Sequence, residues 1–419
     1  MNNTTHYEAA RVKAELMLNS YDATGELEEN LESITYNDVA NGESDSVDIT
    51  LFCGGTEFLD TKWIPKGTEL EAKIIAEHWK ELGARTEIDC GSHLVDEINF
   101  DAFPTEMTVS AVAIPVQGTK NTKTWENMNI QAIASDICSH LGCSLDFSGE
   151  DIVLEEKKQS QETDINFLYK LCTEYGKGMK VYRNKIVIYE REALDAADAA
   201  SEFEIKDVAE SKSISLVDTM DGQYTGVEAH YKIEGSDEDY IYNLGTGDKL
   251  ITLDNAGKSL NEAQMKAKAA LYDANVKEVT LKFTANANSE FYSGLNYVIN
   301  GLGVYSGKYG ADKVIHSLNR NGYSQKVELH AIEIKRDTAP YQEVNNRDCD
   351  TPEGRSIELS GVPLYMSSDA GNPVRYMTGT YSLYDGTEFS GRYRLCNNGD
   401  AGKTPINDYV IGYIDKQYI

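Results

Sequence analysis

The stretch QSQETDINFLYKLCTEYGKGMKVYRNKIVIYE, residues 159–190, specifies its own local structure closely enough to anchor a reading of the whole chain. Thr163 has the chemistry of a helix cap, Asp164 follows in the first turn and Gly176 closes the helix. Ile165, Leu168, Leu171, Cys172 and Tyr175 fall on one face, and that apolar face needs a partner. Two alternating runs supply it, Met179 to Tyr182 and Lys185 to Glu190, joined by Arg183 and Asn184 as a two-residue turn. The product is a helix lying on a small sheet, with no side chain in it arranged for chemistry.

Periodicity sorts the remainder into segments. Residues 1–115 are strand-rich: SITYNDVANGESDSVDITLF alternates around a polar turn, and SHLVDEINFDAFPTEMTVSAVAIP gives two more strands around Phe103 and Pro104. TELEAKIIAEHWKELG is ambiguous, since its propensities suit a helix while Leu70, Ala72, Ile74 and Ala76 alternate like a strand. Residues 116–200 are mixed α and β, with Ile130, Ile133, Ala134, Ile137 and Leu141 forming a helical stripe that ends at Gly142. REALDAADAASEFEI is an acidic, alanine-rich exit. Residues 201–337 return to strands around one helix, where Ser259 and Glu262 have capping-box spacing ahead of Ala263, Ala267, Ala270 and Leu271. The glycine-punctuated strands after it predict a barrel or folded sheet. Residues 338–358, with Pro340 and Pro352, predict a polar linker. Residues 359–419 are dense in Tyr and Gly without helical period, which predicts a small β-barrel. The expected class is mixed α+β, mainly β.

Charge narrows the function. Lys and Arg number 39 against 69 Asp and Glu, a net charge of −30, which opposes wrapping a phosphate backbone or docking on anionic lipid. No apolar run approaches the ~20 residues of a membrane span, and MNNTTHYEAARVKAELML lacks the blocks of a signal peptide, so a soluble chain made in the cytosol is expected. Cysteines at 53, 90, 138, 143, 172, 349 and 396 are odd in number and scattered, which predicts reduced, mostly buried thiols.

No motif amounts to a catalytic or metal site. CSHLGC places Cys138, His140 and Cys143 close together, but at a helix end and without the fourth ligand a structural zinc requires. Cys53 and Cys90 are each followed by glycine, as at strand ends or bulges, and Cys90 with His93 lacks the orienting third group of a nucleophilic dyad. His316 sits in an alternating run as a packed strand residue would. GLGVYSG lacks the context and lysine of a phosphate loop and predicts a turn. Paired carboxylates have no discriminating support among so many acids. The expectation is therefore no catalytic residue, no metal and no cofactor.

Six segments, taken in order, resemble one family. SITYNDVANGESDSVDITLF, TKWIPKGTELEAKI, IDCGSHLVDEINFDAFPTEMTVSAVAIP, KTWENMNIQAIASDICSHLGCSL, QSQETDINFLYKLCTEYG and VIHSLNRNGYSQKVEL are similar to the late control D family, baseplate hub proteins of contractile phage tails and related injection systems. The resemblance runs over roughly residues 10–335. It implies strand after Pro65, and two barrel-like domains at 1–115 and 201–337 flanking an α/β insert at 116–200. It also implies a homotrimer whose six barrels continue a sixfold tail tube. The implied role is structural: to join the tail tube to the spike and form part of the central conduit, in a virion or tailocin particle assembled in the bacterial host cytoplasm. Tail tube, spike and other baseplate proteins are the implied partners, with a tape-measure protein among those the conduit allows. No hexapeptide-like repeat is present, so the spike is expected as a separate chain.

Residues 359–419 resemble SH3-like modules of phage and cell-wall proteins, through TGTYSLYDG, GRYRLCN, GKTP and VIGYID. Tyr365, Tyr381, Tyr384, Tyr393 and Arg392 are the candidate partner-binding residues, with Tyr376 and Arg394 beside them, because such side chains enrich interfaces. Some of these tyrosines must instead fill the core of so small a domain. A neighbouring baseplate protein and peptidoglycan are the competing ligands, and the alternative function is a wall-binding protein or peptidoglycan hydrolase.

Overall fold

The computed structural model describes residues 11–78, 85–101, 103, 105–113, 119–220, 223–233, 239–285, 291–335 and 355–419. Most of the expected linker, with Pro340, Cys349 and Pro352, lies outside them, as does Pro104. The chain divides into two compact units, residues 1–336 and 337–419.

The first unit is built on a 13-stranded sheet. Its central path runs Ser215–Asp218, Val279–Ala285, Gly322–Ile334, Gly307–Asn319, Leu31–Val39, Ser46–Phe52, Glu106–Val112, Arg85–Asp101, Glu69–Glu77, Arg11–Leu18 and Tyr21–Asp22. Two further strands, Asn296–Asn300 and Ser201–Glu204, branch from Gly307–Asn319. The ambiguous stretch is a strand: Leu70, Ala72 and Ile74 enter the core, and Glu69–Glu77 pairs on both sides. The period of two wins here because each alternate residue meets the same core.

The sheet encloses two cores. Leu16, Ile34, Tyr36, Ile49, Ile74 and Val109 fill the first, together with Leu318 and Tyr323 from the distant hairpin of Gly307–Asn319 and Gly322–Ile334. Arg11–Leu18, near one end of the pairing order, and the hairpin, well along toward the other, thus share one core, so this part of the sheet curls on itself. Leu281, Phe283, Phe291, Tyr297, Val314, Val327 and Leu329 fill the second. Each β-rich region thus has its own core. The antiparallel register from Lys313↔Val39 to Asn319↔Ser33 joins them into one sheet.

Between them in sequence lies the insert, with its own core of Ile133, Ile137, Leu168, Leu171, Met179, Ile186 and Ile188. Helix Ile130–Leu141 is capped by Asn129, whose side chain accepts from Ala132 N–H, and ends at Gly142 in the left-handed conformation that glycine adopts freely. Helix Asp164–Glu174 is capped by Thr163, as expected. Leu168, Leu171, Cys172 and Tyr175 are buried, while Ile165 is only partly so. Phe167, off the expected face, is also buried because it stacks on Trp125 with ring centroids 4.9 Å apart. Arg183 and Asn184 both have positive φ, 47° and 53°, as a type I′ hairpin turn requires.

The helix expected within the later β region packs on a small sheet of its own, forming a second α/β element. Helix Leu260–Asn275 lays Ala263 and Ala267 against a three-stranded sheet whose central strand, Gly226–Lys232, runs antiparallel to Asp239–Gly245 and parallel to Leu250–Leu253. Ser259 caps that helix by accepting from Glu262 N–H at 3.1 Å. Glu262 reaches back one residue beyond the expected box, accepting from Lys258 N–H at 2.9 Å.

The second unit is a four-stranded antiparallel sheet, Ser356–Leu364, Arg375–Phe389, Arg392–Cys396 and Val410–Asp415. Reciprocal backbone hydrogen bonds between Tyr365 and Tyr413, both 2.8 Å, connect its first and last strands.

Sharing one sheet should couple the two cores of the first unit. Leu318→Ala and Leu329→Ala, one in each core, should each cost about 2–5 kcal/mol. Each should also speed amide hydrogen exchange in both cores. Unchanged exchange across Leu31–Val39 in Leu329→Ala would mean that the cores open independently.

Candidate assembly surfaces

The first unit is held together by a buried polar joint with one member from each of its three parts. Lys180, on the insert hairpin, donates to Asp38 Oδ1 at 2.5 Å, to the Val39 carbonyl at 3.0 Å and to Ser293 Oγ at 2.9 Å. Ser293, in the later β region, donates its N–H to Asp38 Oδ2 at 2.7 Å. Asp45, fully buried, accepts from Val39 N–H and Tyr36 OH, each at 3.0 Å, with Lys180 Nζ 3.5 Å away. Burial would raise Asp38, but the Lys180 ammonium and the Ser293 hydrogen bonds outweigh it and hold the carboxyl below its ordinary range. Burial dominates at Asp45, raised to about 6.

Beside the joint lie buried aromatic and imidazole rings. His316 stacks on Tyr36 with centroids 5.6 Å apart and bonds Tyr323 OH through Nδ1 at 2.8 Å. It is a packed strand residue, as its alternation implied. His93 meets Tyr36 edge-on at 6.1 Å. Burial lowers both histidines to about 4. His330 is the opposite case. Burial would depress it, but hydrogen bonds and charge from Asp195 and Asp312 outweigh that and raise it to about 9. It borders a cleft of about 1000 Å³ between the insert and the later β region. Three cations in that cleft are paired within the unit: Arg191 with Asp273, Lys282 with Glu328 and Lys313 with Glu43. The cleft reads as a seam within the unit.

The sequence candidates for chemistry resolve into structure. His140 turns from the cysteines to Asp164, with Nδ1 2.6 Å from Oδ2. Asp164 also accepts from Asn121 and Gln159, at 2.9 and 2.8 Å. Among the described residues no group of three His, Cys, Asp or Glu side chains is placed to hold a metal ion. Cys53 and Cys90 are buried thiols that burial pushes up, and GLGVYSG is a turn between Asn296–Asn300 and Gly307–Asn319. The six described cysteines are all free. Among the described residues no helix is long and apolar enough to cross a membrane.

The second unit corrects the expected surface. Tyr384 and Tyr393 are buried, 3% and 6% exposed, the first donating its hydroxyl to the Lys403 carbonyl and the second to Glu388 at 3.1 Å. Tyr381 packs against the core. Arg392 lies 3.4 Å over the Tyr365 ring and donates to Asp415 at 2.7 Å and to the Ala370 carbonyl at 2.8 Å, so both residues are engaged within the module. The large exposed side chains of the first hairpin are Tyr376 and Met366, each 68% exposed, and Val374, 54%. Tyr376 is among the tyrosines the sequence singles out, and alternation places it outward, because its neighbour Met377 is the one facing the core. Met366 and Val374 carried no such signal, lying in the turn between strands.

Two measurements follow. Lys180→Met should cost about 3–5 kcal/mol in denaturant unfolding, because it strands two buried carboxylates. A loss near zero would remove the joint from the account. The pH profile should fall on both sides of neutrality. His93 and His316 hold folded values below the unfolded 6.5, so between pH 6.5 and about 4 the unfolded chain takes up protons that the fold refuses. Asp45, raised, offsets one of these two. His330, raised, stabilises fully below pH 6.5 and loses its contribution as pH rises through about 9. His93→Leu should flatten the acid limb, and a thermal midpoint constant from pH 6.5 to 4 would contradict the neutral buried imidazoles.

No family model matches the chain. Among curated proteins it is 27% identical over 179 residues to the probable baseplate hub protein of Escherichia phage P2, a match covering 41% of this chain and 43% of that protein. The probable baseplate hub protein of Escherichia phage 186 is 28% identical over 178 residues, with the same coverage. The chain thus matches less than half the length of these relatives. Among solved structures, the tail protein from Neisseria meningitidis MC58 superposes with a TM-score of 0.56 at 12% identity, covering 76% of this chain and 96% of that one. The 43 kDa tail protein of prophage MuSo2 from Shewanella oneidensis gives 0.55 at 10% identity, with 76% and 98% covered. The fold is that of these tail proteins, and the sequence relatives are baseplate hub proteins.

Proposed function

We propose that this chain is a structural, non-enzymatic baseplate hub of a contractile tail or related injection system, joining the tail tube to the spike and forming part of the central conduit. The observation that carries the reading is the sequence match to two phage baseplate hub proteins. The fold supports it, because a continuous sheet braced by a buried joint suits a part that transmits load and needs no reactive cleft. In this reading the hub works as a homotrimer within the particle, against tube, spike and other baseplate proteins. Residues 1–115 and 201–337 supply the ring positions, 116–200 the insert, 338–358 the linker and 359–419 an SH3-like module.

The module docks a neighbouring baseplate or spike protein, and the exposed Met366, Val374 and Tyr376 supply its contact area. Particles made with a chain truncated after residue 358 should retain the ring but lose spike attachment or baseplate completion, and Tyr376→Ala should weaken that step. Truncated tails that assemble normally, with an isolated module that sediments with purified cell walls, would favour the wall-binding function. Loss of the whole chain without any baseplate defect would overturn the hub reading itself.

A further inference from the structure

We propose that Cys138 and Cys143 form a reversible redox pair, closed to an intramolecular disulfide by a low-molecular-weight disulfide of the glutathione class. The geometry comes from how helix Ile130–Leu141 stops. Gly142 takes the left-handed conformation, φ 73° and ψ 26°, and Cys143 N–H donates to the Cys138 carbonyl at 3.0 Å. That six-to-one bond defines a helix stop in which the side chains flanking it meet across the turn. The sequence CSHLGC puts a cysteine at each of the two meeting positions. A backbone contact of this length leaves the Cα atoms no further apart than a disulfide reaches, about 7 Å at most.

The pair is asymmetric in the way a redox pair needs. Cys143 is partly exposed and Cys138 is buried. Cys143, the accessible one, therefore reacts first, and the neighbouring Cys138 thiol lowers it while Cys143 and burial raise Cys138. Cys143 Sγ attacks one sulfur of the small disulfide, forming a mixed disulfide and expelling one small thiolate. Cys143 then carries no negative charge, so the main influence holding the Cys138 proton is gone. Cys138 gives that proton to water and attacks Cys143 Sγ, expelling the second small thiolate. Two protein thiols are oxidised and one small disulfide is reduced to two thiols.

Other described groups do not compete. Cys53, Cys90, Cys172 and Cys396 are buried, and burial pushes each thiol up. His140 is drawn to Asp164, away from a metal-binding role with the cysteines. Closing the bond would staple the helix end to strand Ser144–Phe147, which pairs in parallel with Lys185–Glu190, and so stiffen the insert outside a reducing compartment. The inference stands on this local geometry and is independent of the hub reading.

The test equilibrates the full chain in buffers of reduced and oxidised glutathione, alkylates the remaining thiols and maps peptides by mass. The expected result is a 138–143 peptide lighter by two hydrogens, restored on reduction, at oxidant levels that leave Cys53, Cys90, Cys172 and Cys396 free. In Cys138→Ala, which keeps the buried position apolar, Cys143 should accumulate the glutathione adduct at least about tenfold over wild type, because the resolving thiol is absent. Equal adduct in both proteins would overturn the proposal. So would a wild-type chain whose two thiols remain alkylatable at every redox ratio.

Discussion

The hairpin of Gly307–Asn319 and Gly322–Ile334 is the element on which the first unit depends. Each strand has thirteen residues, roughly 43 Å at the rise of a β-strand, which is long enough to cross both cores. Tyr309, Ala311 and Val314 enter the second core and Leu318 the first; on the return strand Tyr323 enters the first, Val327 and Leu329 the second. At the crossing the inward residues are polar. His316 pairs in register with Gln325, His316 bonding Tyr323 and Gln325 accepting from Phe291 N–H at 3.1 Å. A one-residue slip would bury these groups among apolar neighbours without their partners, so the polar layer pins the register as well as marking the handover.

The insert is tied to the same body at several points, among them the backbone bonds from Gly42 and Asp45 N–H to the Met179 and Val181 carbonyls. Lys180 joins all three parts, reaching Asp38 on the strand that pairs with the hairpin and Ser293 beside the second core. A partly buried ammonium between two buried carboxylates adds modest net stability, but it penalises every arrangement in which one partner is missing. The joint therefore acts mainly on specificity of arrangement. Rigidity of this kind suits the structural role proposed above.

The parts legible in the sequence are those fixed by near neighbours. Thr163 and Ser259 cap helices, Gly142 stops one, and Arg183 with Asn184 turns a hairpin, because each acts within a few residues on the backbone. The strand at Glu69–Glu77 was decided by resemblance and is explained by pairing on both sides. What escaped depends on distance along the chain. Nothing local announces that Lys313–Asn319 pairs with Ser33–Val39, that Lys180 meets residues more than a hundred positions away in both directions, or that Leu260–Asn275 packs on its own three-stranded sheet. The tyrosines of the second unit misled for a related reason: composition counted them as interface material, while a core this small recruited Tyr384 and Tyr393.

The most direct measurement is image averaging of the chain assembled with its tube and spike partners. The account predicts three copies in a closed ring, with the two β regions of each occupying alternate positions of a six-membered inner circle around an open axis. A chain that stays monomeric with those partners present, or that sits in the particle away from the axis, would contradict it.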